Sequence, residues 1–193
     1  MTDTHELRDR ISRVDGGELT ASTHACPYSI IFPPEQARAV VYTTKAHVAR
    51  ELLACPGDEV SVGIIGRYGL TGSKDIPSIR GIVGDLPLYF LGDCDPFDLL
   101  VFAWVRQLLP MRFLGTSDAV VSALGVRVTE SITIELTDDE QRALSLVREV
   151  FPDYATFIGP GCSDLLGRNR KIELEALFSY RTLPNSGLLD LLQ

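Results

Sequence analysis

The stretch that decides the fold is PLYFLGDCDPFDLLVFAWVRQLL, residues 87–109. An apolar run ends abruptly in Gly-Asp-Cys-Asp-Pro, and almost continuous hydrophobicity then resumes. The pattern predicts a buried strand over residues 87–93 and a helix over residues 96–109. That helix is apolar on nearly every face, so it must be covered on several sides. The turn between the two elements carries two carboxylates, Asp93 and Asp95.

The segments around this stretch repeat the same alternation of strand and helix. Strands are predicted over residues 37–44, 59–66 and 111–115, and helices over residues 45–55 and 76–83. The order β-α-β-α-β-α-β predicts an α/β fold with a parallel sheet flanked by helices.

Additional elements are predicted at both ends of the chain. Residues 4–14 predict a charged helix that Gly16 and Gly17 end, and the following arm to residue 37 reads as irregular or as an edge strand. Residues 127–136 predict a partly exposed strand. Thr137 and Glu140 have capping-box spacing for a helix that follows, and a last helix is predicted over residues 169–179. We therefore divide the chain into an N-terminal helix and arm (1–37) and an α/β domain with a C-terminal helical extension (38–193).

Composition narrows the class of protein. The chain has 193 residues, with 45% hydrophobic and 23% charged residues, as in an ordinary globular domain. The formal net charge of −8 argues against general coating of nucleic acid, although a local basic groove or a cation-mediated contact stays open. No apolar run is long enough to span a membrane, and the N-terminus lacks the apolar core of a signal peptide. We expect a cytoplasmic protein without a membrane partner.

The acidic turn has two interpretations. In a parallel sheet, ligands bind outside the carboxyl ends of the strands, where this turn is predicted. If residues 93–95 stay extended, Asp93 and Asp95 project the same way and could share one Mg²⁺, which prefers oxygen ligands. Alternatively, Asp95 before Pro96 is a helix N-cap, and Asp98 adds a charge that suits the first turn.

The order of these segments resembles a Toprim domain, and more closely the Toprim half of the topoisomerase VI A subunit and its relatives, the meiotic double-strand-break proteins. The resemblance covers residues 38–193 in order. It rests on VVYTTKAHVARELL (40–53), GDCDPFDLLVF (92–102), MRFLGTSDAV (111–120), ELTDDEQRAL (135–144) and GRNRKIELEALFSY (167–180). It implies a Toprim-like, Rossmann-like fold, a divalent cation held by Asp93 and Asp95, and contact with DNA.

The sequence departs from the family pattern at its first acidic position. By alignment on Lys45, Thr44 lies where the family has a glutamate that helps hold the cation or acts as a general acid or base. A hydroxyl cannot supply the third negative charge, so we assign no catalytic residue. Asp98 is a possible substitute, one turn into the helix, but a solvated charge at a helix start is the simpler expectation.

A second departure concerns the cleaving tyrosine. The family carries it on a winged-helix domain ahead of the Toprim domain, and only about 37 residues precede the first core strand here. Tyr28 lies in this arm without a nucleophile pattern, and Tyr42, Tyr89 and Tyr180 fit packing positions. We expect this chain alone not to form a phosphotyrosyl bond.

Two basic segments are candidates for contact with DNA or phosphate. The glycine-rich loop GRYGLTGSKDIPSIR (66–80) contributes Arg67, Lys74 and Arg80, and the segment GRNRK (167–171), expected at the start of the last helix, contributes Arg168, Arg170 and Lys171. A surface loop and a helix end with solvated charges are the alternatives.

Three functions fit these observations. The first is a stand-alone Toprim-like protein with a degenerate active site that binds a divalent cation and DNA or a protein partner, without strand-cleaving activity of its own. The second is a Mg²⁺-dependent nuclease or topoisomerase component whose nucleophile comes from a partner chain or from water. The third is a degenerate scaffold for protein association. A homodimer is a further possible assembly.

Overall fold

The structure, a computed structural model, describes residues 4–17, 19, 29–31, 37–53, 62–184 and 186–192. Its centre is a five-stranded sheet in the order β1-β3-β2-β4-β5. The strands are β1 Ser29–Ile31, β2 Ala39–Thr43, β3 Val62–Gly66, β4 Leu88–Leu91 and β5 Arg112–Phe113. The four strands β2 to β5 are parallel, and β1 pairs antiparallel with β3 at one edge. The predicted α/β fold with a parallel sheet is confirmed, and the edge-strand interpretation of the N-terminal arm holds for residues 29–31.

Helices flank this sheet, as predicted. They are α1 Thr4–Val14, α2 Ala46–Leu53, α3 Ile76–Val83, α4 Pro96–Val105, α5 Asp118–Ala123, α6 Asp138–Val150, α7 Tyr154–Gly167, α8 Leu174–Tyr180 and α9 Ser186–Leu189. A two-stranded ribbon, β6 Ile134–Glu135 with β7 Arg170–Lys171, lies between the C-terminal helices.

The central helix α4 is buried on almost every face, as its sequence predicts. It packs against α6 and α1, and the Trp104 indole donates a hydrogen bond to the Thr4 carbonyl at 3.2 Å. Phe102 lies in an aromatic cluster with Phe90, Phe113 and Phe151. Burial of large aromatic rings stabilises the fold by roughly 2 kcal/mol each. This packing fixes α4, and therefore the acidic turn that precedes it.

Two predictions for the C-terminal part are wrong. Residues 127–136 do not form one strand: a 3₁₀ turn occupies Glu130–Ile132, and the strand in this segment is limited to Ile134–Glu135. The segment 167–171 does not begin the helix predicted over 169–179, because Asn169 adopts a left-handed φ of 58° and turns the chain into strand β7. That helix, α8, begins at Leu174, and α9 follows it. The capping box at Thr137 and Glu140 is confirmed.

Helix α7 is absent from the sequence prediction. It contains a break at Gly159, with φ 85° and ψ 165°, followed by Pro160. The Asp118 carboxylate bridges this break by accepting hydrogen bonds from the Gly161 and Cys162 amides at 2.7 and 2.8 Å. Asp118 and the N-capping Ser117 are therefore structural.

Candidate metal centre

The carboxyl ends of β2 and β4 lie side by side at the point where the strand order reverses. From β2 the chain passes through α2 to β3 on one side, and from β4 it passes through α4 to β5 on the other. The helices diverge from this point, which is where ligands bind in open α/β sheets. Thr44 and Lys45 follow β2, and Asp93 and Asp95 follow β4.

The acidic turn stays extended, which is the condition for its two aspartates to face one way. Cys94 forms an isolated antiparallel bridge with Ile172, and its amide donates to the Ile172 carbonyl at 2.9 Å. The Cys94 thiol lies 3.9 Å from the Cys162 carbonyl, in the core. Alternation along the extended chain therefore directs Asp93 and Asp95 to the opposite side from Cys94, towards the carboxyl end of β2 and the first turn of α4.

The structure brings Asp93, Asp95 and Asp98 into one cluster. Carboxylate oxygens from the three residues lie within 4.8 Å of one another, and all three residues are less than a tenth exposed. The capping interpretation is confirmed, because Asp95 Oδ1 accepts the Asp98 amide hydrogen bond at 2.7 Å and caps α4. This cluster could hold a metal ion.

Asp98 is not the solvated helix-start charge that we expected. Its side chain turns back into the fold, where Oδ2 accepts the Asp93 amide hydrogen bond at 2.6 Å and the Thr44 hydroxyl hydrogen bond at 3.0 Å. Thr44 therefore contacts the third carboxylate of the cluster. Asp98 therefore places a third carboxyl group beside Thr44, at the end of β2.

Two lysines flank the cluster. The Lys45 ammonium lies 2.8 Å from Asp93 Oδ2 and 2.6 Å from Glu175 Oε2. The Lys171 ammonium lies 2.7 Å from Glu140 Oε1 and 3.2 Å from Glu173 Oε1. The ammonium groups of these two lysines therefore partly neutralise the carboxylates of the site.

Burial raises the pKa values of the aspartates. Burial, followed by the neighbouring Asp95 charge, raises the pKa of Asp93 to about 7, against the opposing effect of Lys45. Burial also raises the pKa of Asp95, although the Asp98 amide opposes the rise. Burial and the charges of the other two aspartates raise the pKa of Asp98 well above its ordinary value. Three close carboxylates are unfavourable when ionised, and a cation would relieve this repulsion.

The flanking lysines are held as cations. Burial disfavours the Lys45 ammonium, but Asp93 and Glu175 more than compensate and raise its pKa. Burial also disfavours the Lys171 ammonium, and Glu140 in turn raises the pKa of Lys171.

The cluster opens into a cavity of about 330 Å³. Among the described residues, seven carboxylate side chains and two lysines line it. The lining residues are Asp15, Leu19, Thr44, Lys45, Tyr68, Asp93, Asp95, Phe97, Asp98, Thr137, Asp139, Glu140, Lys171 and Glu173. The excess of carboxylates favours a cation over a bare anion.

Sequence reasoning missed several of these lining residues. Asp15 and Glu173 reach the cavity from distant parts of the chain and have no motif. Tyr68, about half exposed, lies two residues after β3 in the glycine-rich loop. A tyrosine between glycines, close to the end of a strand, is the one signal that the sequence gives for it.

Of the six basic residues proposed to contact DNA or phosphate, Lys171 lines the cavity. Arg67 is buried and pairs with Asp75 at 3.2 Å. Arg80 donates to the Leu108 carbonyl, and Lys74 is exposed. Arg168 pairs with Asp164, and Arg170 binds Thr133. The structure therefore does not gather these six residues into one basic surface.

The three tyrosines that we assigned to packing positions do not line this cavity. Tyr42 is buried and hydrogen-bonded to Thr71, and burial raises its pKa to about 12. Tyr89 is buried beside Arg112, and Tyr180 is exposed on α8. Tyr28 lies outside the described residues.

Comparison with known proteins gives no match, either to a protein-family model or to a curated protein. Among the described residues, no helix has the length and apolar character needed to cross a membrane.

Proposed function

We propose that this chain is a Toprim-like protein related to topoisomerase VI A subunits that binds a divalent cation at Asp93, Asp95 and Asp98. Through that cation it binds DNA or a protein partner, and it has no strand-cleaving activity of its own. The observation that carries the proposal is the position of three buried carboxylates within 4.8 Å at the switch point of a parallel sheet.

The chemistry of the cluster favours a hard cation. Its ligand atoms are carboxylate oxygens, which suit Mg²⁺, Mn²⁺ and Ca²⁺, and we propose Mg²⁺. A net charge of −8 and an acidic cavity repel phosphate, so contact with DNA would need the cation as a bridge.

Thermal melting with added MgCl₂ or MnCl₂ tests the cation site. We expect the wild type to melt at a higher temperature with the ion, because binding to the folded state stabilises it by mass action. Asp93→Asn and Asp98→Asn should lose this shift, because each removes one carboxylate of the cluster. Asp139→Asn is the matched control, since Asp139 lines the same cavity but pairs with Arg142 at the surface. If neither ion changes the melting temperature of the wild type, the cation site is excluded and the scaffold for protein association is the function that remains.

Binding of labelled DNA, measured by fluorescence anisotropy, tests the partner. The proposal expects binding in MgCl₂ that EDTA abolishes and that Asp93→Asn reduces. Tyr68→Ala should also weaken binding to single strands, because aromatic rings beside a charged groove stack with bases. Equal DNA binding with and without the cation would contradict a cation bridge.

One observation favours the second function, a Mg²⁺-dependent nuclease or topoisomerase component. Asp98 restores the third carboxylate that Thr44 lacks, and three carboxylates can hold an ion that activates water. Incubation of supercoiled plasmid with the protein and MnCl₂ separates the two. Nicking that Asp93→Asn and Asp98→Asn abolish would establish the nuclease, and intact plasmid at high protein concentration would exclude it.

A further inference from the structure

Lys45 connects the inside of the cluster with the rim of the cavity. Its ammonium contacts Asp93, whose side chain is 4% exposed, and Glu175, whose side chain is 50% exposed. Glu173 lies 3.9 Å away on the same rim. The lysine follows β2, the aspartate follows β4, and both glutamates lie at the start of α8. One cation is therefore shared between an interior and an exterior set of carboxylates.

We propose that Lys45 is an exchangeable counter-cation of the cluster. Without a divalent ion, its ammonium neutralises Asp93; when a divalent ion binds Asp93, the ammonium moves outward to Glu173 and Glu175. This inference rests on the cation site of the proposed function. It adds that Lys45 sets the affinity of that site for a divalent ion.

The exchange follows from the charges and from the flexibility of the side chain. An ammonium 2.8 Å from Asp93 Oδ2 occupies the space around the oxygen that a divalent ion would use, and two cations at one carboxylate repel each other strongly at low dielectric. A lysine has a four-carbon stem with freely rotating bonds, so the ammonium can move without the backbone. Glu175 already receives it at 2.6 Å, so the outward position has an acceptor in place.

Lys171 provides a matched comparison. It lines the same cavity and has similar side-chain exposure, 14% against 25% for Lys45. Its ammonium pairs with Glu140 and with Glu173, whereas the Lys45 ammonium pairs with Asp93. Removal of Lys171 takes the same charge from the cavity but leaves the Asp93 contact intact. If the two substitutions change the affinity for a divalent ion by different amounts, the difference measures direct competition at Asp93. A change in the electrostatic potential of the cavity would affect both variants alike.

Calorimetric titration with MnCl₂ at constant ionic strength tests the exchange. Lys45→Met keeps the apolar stem and removes the charge, and we expect it to tighten the Mn²⁺ Kd by about tenfold. Lys171→Met should tighten it by less than about threefold. Glu175→Gln, at a half-exposed position, should weaken Mn²⁺ binding by about threefold in the wild type, because the outward acceptor is lost. In the Lys45→Met background, Glu175→Gln should change nothing, since the coupling depends on the lysine.

Three results overturn the inference while leaving the cation site standing. They are weaker Mn²⁺ binding in Lys45→Met, equal tightening in Lys45→Met and Lys171→Met, and an equal effect of Glu175→Gln in both backgrounds. If Lys171→Met does not fold, the comparison of Glu175→Gln in the two backgrounds still tests the exchange. If Lys45→Met does not fold, tighter Mn²⁺ binding by Glu175→Gln than by the wild type would overturn the inference. If neither the wild type nor Lys45→Met binds Mn²⁺, the cation site of the proposed function fails as well. If Lys45→Met binds Mn²⁺ and the wild type does not, the result supports both the cation site and the exchange.

Discussion

The Thr44 hydroxyl donates a hydrogen bond to the Asp98 carboxylate at 3.0 Å, joining the end of β2 to the first turn of α4. The bond gives Thr44 a role that its position in the sequence does not suggest. A side chain without charge orients the carboxylate that completes the cluster. Because the acceptor is buried and ionisable, loss of the donor affects both stability and the pKa of Asp98.

Thr44→Val should therefore destabilise the fold. Valine has nearly the same shape and removes only the hydroxyl, so we expect the free energy of unfolding to fall by about 1–2 kcal/mol at neutral pH. Chemical denaturation measures this change. Thr44→Ser is the control, since serine keeps the donor. A Thr44→Val protein that keeps the stability of the wild type would show that the hydrogen bond contributes little.

The stability of the cation-free protein should fall as the pH rises from 6 to 8. Burial raises the pKa of Asp93 in the folded state to about 7 from its ordinary value of 3.8. Between these two values the folded chain binds a proton that the unfolded chain does not, so the free energy of unfolding decreases with pH and levels off above about 7. For this one group, the decrease between pH 6 and pH 8 is about 1.4 kcal/mol.

Urea denaturation at several pH values, in EDTA, checks this prediction against Asp93→Asn. The variant lacks the titrating group and should show a flatter profile over the same range. A wild-type curve that rises with pH, or that runs parallel to the Asp93→Asn curve, would contradict the prediction. Added MgCl₂ at pH 8 should recover stability in the wild type, because the cation replaces the proton.

Asp118→Ala should destabilise the C-terminal helices. The Asp118 carboxylate accepts two amide hydrogen bonds beyond the break in α7, and removal leaves those amides without their acceptor. We expect a loss of about 2 kcal/mol, at the upper end for helix caps. Asp164→Ala is the control, since Asp164 is exposed and pairs with Arg168 on the surface. Equal effects of the two substitutions in thermal melts would show that Asp118 has no special part in bridging the break.

The sequence predicted those parts of the site that local alternation determines. Asp93 and Asp95 face one way because residues two apart in an extended chain always do, and the parallel sheet follows from the order of strands and helices. The burial of Asp98 could not be predicted in this way. A carboxylate at a helix start is ordinarily solvated, and only the packing of α4 turns it towards Thr44.

The rest of the site depends on contacts between residues far apart in the chain. The ion pair of Lys45 with Glu175 joins residues 130 positions apart, and no local pattern signals it. Helix α7 was missed because Gly159 and Pro160 both read as helix breakers. The break is tolerated because Asp118, from another helix, satisfies the exposed amides. The basic segment at Arg170 was misassigned because its strand partner, β6, is only two residues long.

Gly92→Ala should disrupt the cluster. A Cβ atom at Gly92 would lie 2.5 Å from Asp98 Oδ2 and 2.7 Å from a Phe90 ring carbon, both too close for real contacts. Phe90 is buried in the core and cannot move away, so Asp98 must shift from its position beside the Asp93 amide. We expect a loss of about 2 kcal/mol in the free energy of unfolding, typical of overpacking, together with a smaller Mg²⁺-induced rise in melting temperature.

Gly81→Ala is the control, since Gly81 is exposed in α3 with nothing within 4 Å of its added Cβ, and it should gain about 0.5–1 kcal/mol from helix propensity. A Gly92→Ala protein that keeps the full response to Mg²⁺ would show that Asp98 is not needed to hold the ion, and the cluster would then reduce to Asp93 and Asp95.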